Sequence, residues 1–110
     1  MYLPKTDIYN SLNELGYYVA QTQPHTFTNL PAIIFRVGNN SVERDLQNNI
    51  ISQDMEVIVD IWAESSVEAS RILSEVEERL RQDFWKLTYS ADIPNTGNLY
   101  HINLRFEKII

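Results

Sequence analysis

The sequence predicts an α+β domain: a four-stranded, mainly antiparallel sheet packed by one long and one short helix, in the order α-β-β-α-β-β. Three observations lead there. Met55, Val57, Val59 and Ile61 share one face of a strand, with Glu56, Ile58, Asp60 and Trp62 on the other, so one face is wholly apolar, as a sheet covered by helices requires. From Val67 to Phe84 the apolar residues Val67, Ile72, Leu73, Val76, Leu80 and Phe84 recur close to the 3.6-residue period of a helix with one buried stripe. Between the two lies Ser65-Ser66-Val67-Glu68, the S-x-x-E spacing of a capping box, in which each side chain satisfies the other's free backbone N–H.

The remaining elements follow in chain order. "KTDIYNSLNELG" sets Ile8, Leu12 and Leu15 at helical spacing behind Thr6 as a cap, and Gly16 can close the helix in the left-handed conformation. "AQTQPHTFTNLP" has two prolines and no period and reads as a connecting loop, with Leu30-Pro31 forcing extension before the next element. "AIIFRVG" is rich in β-branched and aromatic residues and reads as a strand running into a turn. The polar Asn39–Gln53 segment reads as a long, partly ordered hairpin loop, either an arm or a mobile connection. "KLTYSA" is a strand and "DIPNTGN" a turn. In "LYHINLRFEKII", Tyr100, Ile102, Leu104, Phe106 and Ile110 face one way and His101, Asn103, Arg105 and Glu107 the other, as in a half-buried strand.

Composition bounds the function. A chain of 110 residues is one domain, 1–110, and such a domain buries roughly two thirds of the surface its unfolded chain exposes. The absence of cysteine excludes disulfides, thiolate nucleophiles and cysteine-ligated zinc. "MYLPKTDIYN" lacks the pattern of a secretory signal, and no apolar run approaches the about 20 residues that span a bilayer, so a cytoplasmic protein with no membrane partner is expected. A formal charge of −6 opposes non-specific nucleic-acid binding. Arg71, Arg79 and Arg81 are interleaved with Glu68, Glu75, Glu77 and Glu78, the pattern of a solvated helix face.

Motifs for chemistry are missing. His25 and His101 have no ligand spacing, Asp60 beside Trp62 reads as a structural hydrogen-bonding carboxylate, and "DIPNTGN" lacks the alternation and terminal Glu of a calcium loop. Asn39-Asn40-Ser41 matches a glycosylation triplet without a secretory route, and neither a G-x-S-x-G elbow nor a phosphate-cradling loop occurs. No catalytic, cofactor or metal residue is predicted, and the protein is not expected to be an enzyme. Tyr2, Tyr9, Tyr17 and Tyr18 crowd the N-terminal region, where interface and ordinary packing both remain open.

The block "MEVIVDIWAESSVEASRILSEVEERL" resembles the tail-completion, or tail-terminator, proteins of long-tailed bacteriophages, also described as head-tail joining or minor tail proteins. A strand with an Asp and an aromatic residue leads through a Ser-rich turn to a helix opening near Glu68-Ala69. The loop with Leu30-Pro31, the closing strand and the N-terminal helix also fit. The resemblance implies a structural protein without a cofactor. Its copies form a ring, usually a hexamer, that caps the tail tube and meets the head connector, assembling in the host cytoplasm and ending in the virion. Its partners would be itself, the tail-tube protein and the connector protein, and DNA would pass through the ring unread.

A ring needs subunit contacts, and the polar hairpin is the expected donor. Arg44 beside Glu43 and Asp45 can pair across a subunit boundary, while Leu46, Ile50 and Ile51 supply apolar contact. Two other readings stand beside this one. A ligand-binding or regulatory domain would have a pocket lined by Trp62, Trp85 or Tyr89, and a small enzyme would use Asp60 or His101.

Overall fold

The computed structural model describes residues 1–22, 27–94 and 97–110. His25, singled out above, and Asn95 of the "DIPNTGN" turn lie outside the described residues. Helix α1, Lys5–Asn13, buries Ile8, Ser11 and Leu12. It begins two residues earlier than a Thr6 cap would allow: Pro4, already helical at φ −80°, accepts the Ile8 N–H through its carbonyl at 2.9 Å, and no side chain caps the helix. Proline suits that place because its missing N–H would have had no partner. Gly16 does adopt a left-handed conformation, at φ +87°.

The sheet has five strands rather than four. Strand β1, Tyr18–Ala20, pairs in parallel with β2, Ala32–Arg44, and sets Val19 beside Ile33. Three residues are too few to show a period, so this strand was not expected. Strand β3, Ile50–Ala63, lies antiparallel to β2, followed by α2, Ser66–Gln82, and then β4, Lys86–Ile93, and β5, Tyr100–Ile109. The element order is therefore α-β-β-β-α-β-β, and the strands lie in the order β1-β2-β3-β5-β4.

The Asn39–Gln53 segment is also not a loop. Val42 pairs with Gln53 and Glu43 with Ser52, so strand pairing continues almost to the tip, where only Asp45–Asn49 turns. The Asp45 carboxylate accepts the N–H groups of Gln47 at 3.0 Å and Asn49 at 2.8 Å, and Asn48 takes the left-handed conformation at φ +69° that asparagine tolerates. The β5 strand accompanies β3 only as far as the Asp54–Ile109 pair, so the hairpin projects beyond the sheet. The molecule measures 54 × 27 × 23 Å, with a radius of gyration of 15.2 Å, against about 13 Å for a compact domain of this length.

The strand–helix joint is built as the spacing predicts. Ser65 Oγ accepts the Glu68 N–H at 3.1 Å, although the Glu68 carboxylate reaches back to the N–H of Glu64, at 3.4 Å, instead of that of Ser65. Helix α2 buries Ala69, Ile72, Val76 and Leu80 against the sheet. Val67 and Phe84, expected in that stripe, are exposed. Val67 precedes Ala69 by about 200° of helical rotation, and Phe84 lies past the helix end at φ +69°, which turns it outward and sends Trp85 into the core.

Core layers follow the β3–β5 register, with Val57 opposite Phe106, Val59 opposite Leu104 and Ile61 opposite Ile102, all buried beneath the helices. Tyr100 and Ile110, at the ends of the same face, are exposed. On the other face a small cluster of Ala32, Ile34 and Trp62 is covered by Phe27, Leu30 and Leu99.

Candidate functional site

The projecting β2–β3 hairpin carries every residue expected at an interface. Leu46 stands at its tip, 100% exposed, and Ile51 is 60% exposed on the returning strand, whereas Ile50 is half-buried. Exposed apolar side chains gain free energy only when a partner removes them from water, roughly 25 cal/mol per Å². Glu43 is exposed, opposite Ser52. Arg44 and Asp45 have work within the hairpin itself: Arg44 Nη1 donates to the Asn48 carbonyl at 2.9 Å, and Asp45 holds the turn. The turn is thus closed by its own hydrogen bonds, with Leu46 at its apex.

The hairpin is anchored at its root by Gln53, 2% exposed. Its Oε1 accepts the Tyr2 N–H at 3.1 Å, and its Nε2 donates to the Tyr2 carbonyl and to Asn40 Oδ1, each at 2.7 Å. Its backbone exchanges two hydrogen bonds with Ile110. Met1, Ile51 and Ile110 line a shallow hollow of about 290 Å³ beside it. No sequence pattern marked Gln53, because its role depends on a register that joins three distant segments.

Asp60 and His101, considered separately above, meet on the other face of the sheet. The register sets Trp62 opposite His101 and Asp60 opposite Asn103. Asp60 Oδ1 lies 2.7 Å from His101 Nε2 and accepts from Asn103 Nδ2 at 2.9 Å, while the His101 ring stacks on Trp62 with centroids 3.9 Å apart. The carboxylate thus has the structural hydrogen bonds expected of it. Among the described residues no hydroxyl bonds the imidazole, and no group of His, Asp and Glu side chains is placed to hold a metal.

Among the described residues, those expected to line a ligand pocket do not share one cleft. A cleft of about 600 Å³ lies between the start of α2 and the β4–β5 connection, with Glu64, Asp92 and His101 on its walls, and neither Trp62 nor Tyr89 lines it. Trp85 borders two smaller clefts of about 340 and 390 Å³.

The second of the polar clusters joins α1 to α2. Ser11 Oγ donates to Asp83 at 2.7 Å, and Arg79 reaches both Asp83 at 3.1 Å and Glu14 at 2.9 Å. The Ser11 bond, with help from Arg79, holds the Asp83 carboxyl below its usual range. Tyr2 donates to Asp7 at 2.6 Å, and burial together with that bond pushes its hydroxyl up to about 12. Tyr17 donates to Glu75 at 2.6 Å. Of the four N-terminal tyrosines, Tyr2 and Tyr17 therefore pack and bond internally, and Tyr9 and Tyr18 are exposed.

No family model matches the chain, and no curated protein does. Among solved structures it is similar to a chain from the virion of a native gene transfer agent (GTA) particle. The TM-score is 0.59 at 13% identity, over 91% of this chain and 88% of that one. At this identity the likeness establishes a shared fold.

Proposed function

We infer that this chain is a structural protein of a phage-like particle, of the tail-terminator kind. Its copies close into a ring, six in number, that caps the finished tail tube and meets the head connector. The reading rests above all on the likeness to a virion chain over nearly the full length of both proteins. The projecting hairpin with its bare Leu46 and Ile51 supports it, since a ring requires each subunit to offer one surface to a different surface of the next. Glu43, Arg44, Asp45, Leu46, Ile50 and Ile51 form the donor surface. The work is shape and contact, not catalysis, and it is done first in the host cytoplasm and then at the head–tail junction. The tube protein and the connector are the other partners, and DNA passes through the ring unread.

Electron microscopy of tails assembled with and without the protein tests this. Tails of uniform length are expected only when it is present, and uniform, capped tails made without it would overturn the reading. Removal of residues 43 to 51 is expected to abolish capping while the sheet and helices remain folded by circular dichroism.

A further inference from the structure

The sheet has two open edges. At one, β4 presents its outer side over all eight residues, Lys86–Ile93. At the other, β1 covers only Ala32–Ile34 of β2, and from Arg36 to Glu43 that edge has no partner among the described residues. The gap is as long as β4. An open edge exposes rows of N–H and C=O groups and is a template for another strand.

The two edges run in opposite senses. Strand β2 is antiparallel to β3, β3 to β5, and β5 to β4, so β4 runs against β2. A head-to-tail repeat about an axis along the strands brings β4 of one copy antiparallel onto β2 of the next. Such a contact joins two different surfaces and can close a ring, whereas a twofold axis would pair an edge with itself.

Side-chain alternation then narrows the register, because the helix-covered faces must coincide. Lys86 lies opposite Glu107, which lies opposite Glu56, which lies opposite Asn39, so its partner on the open stretch of β2 must be Arg36, Asn39, Ser41 or Glu43. Only Glu43 brings the opposite charge. That choice also sets Leu87 opposite Val42 on the helix side and, past the bulge at Thr88, Tyr89 opposite Ser41 on the bare side. Past the bulge at Gly38, Ile93 comes opposite Arg36, just short of the stretch that β1 covers. Hence β1 and the incoming β4 together fill the β2 edge.

We propose that β4 of one copy adds antiparallel to the Arg36–Glu43 edge of β2 in the next copy, with Lys86 opposite Glu43. This contact rests on the ring reading and locates the second surface, β4, that the hairpin of the next copy meets. The chain has no cysteine, which makes disulfide trapping clean. In a Ser41→Cys/Tyr89→Cys variant, both positions exposed, facing Cβ atoms about 5 Å apart lie near disulfide range. Mild oxidation is expected to give a ladder of covalent multimers. An Asn39→Cys/Tyr89→Cys variant, off by two residues, is expected to give at least tenfold less product. Lys86→Glu and Glu43→Lys, each added to the Ser41→Cys/Tyr89→Cys variant, should lower the yield several-fold, and both together should restore it.

Rings seen by light scattering or microscopy without the Ser41–Tyr89 cross-link overturn the contact and leave the ring reading standing. A stronger product from the Asn39 pair overturns the register. A ladder from a protein whose removal leaves tails capped supports the contact and overturns the terminator role. A chain that stays monomeric at every soluble concentration, with no cross-link, overturns the contact.

Discussion

Gln53 shows how one side chain can hold distant parts of a chain. Its carboxamide treats Tyr2 as a further strand, giving and taking one hydrogen bond each. Gln53→Leu would keep the volume and strand the Tyr2 N–H and carbonyl and Asn40, so a loss of about 1–3 kcal/mol is expected. Thermal melts check this, and an unchanged melting temperature would mean that the N-terminal segment contributes nothing to stability. Asp83 gives a pH-dependent case. Its carboxyl is held below the usual range, by Ser11 first and then Arg79. A depressed folded-state pKa stabilises the fold above the unfolded value of about 3.9 and loses that stabilisation as pH falls through the folded value. Ser11→Ala should therefore melt lower than the parent near neutrality, and the difference should narrow in acid; a gap that is constant with pH would assign the Ser11 effect to packing alone. Roles of this kind were only partly legible in the sequence. Alternation put His101 and Asn103 on the polar face of their strand, but it took the register to show that Asp60 receives both and that Trp62 stacks on the imidazole.

Helix α2 and the joint before it were the most legible elements, because a 3.6-residue stripe and a capping box are local signals. Ser65→Ala should cost about 1 kcal/mol through loss of the bond to the Glu68 N–H. Leu80→Asp should cost several kcal/mol, since Leu80 is fully buried and a carboxylate there has no partner. Denaturant titrations measure both, and equal stability of the Leu80 variant and the parent would refute the assigned helix face. The helix ends were less legible. Phe84 fits the period but follows the last helical turn, and the backbone reversal there decides its direction. Strand β1 was missed because three residues carry no period, and the outer halves of β2 and β3 because their faces project into solvent. A ribbon with no core beneath it needs no apolar alternation, so its sequence reads as a loop.

For the whole molecule, the fold class and the hairpin's candidate residues came from sequence, whereas the five-strand order and the two unlike edges came only from structure. Arg44→Glu should weaken ring assembly on tails and leave the circular dichroism of the free protein unchanged, because Asp45 still holds the turn when the bond to Asn48 is gone. Microscopy of the tails and spectra of the protein, taken together, decide it; normal capping by this variant would remove Arg44 from the contact. The Gln53 anchor has a consequence of a different order. It binds Tyr2 through its side chain and Ile110 through its backbone, so residues 1 and 110 emerge side by side at the root of the hairpin. A linker of a few residues would join them, and the backbone could be cut instead at the exposed tip beside Leu46. Such a circular permutant would keep every strand neighbour in place. Its hairpin would become two independent ends, which would reveal whether the donor surface needs a closed tip or only the paired strands beneath it.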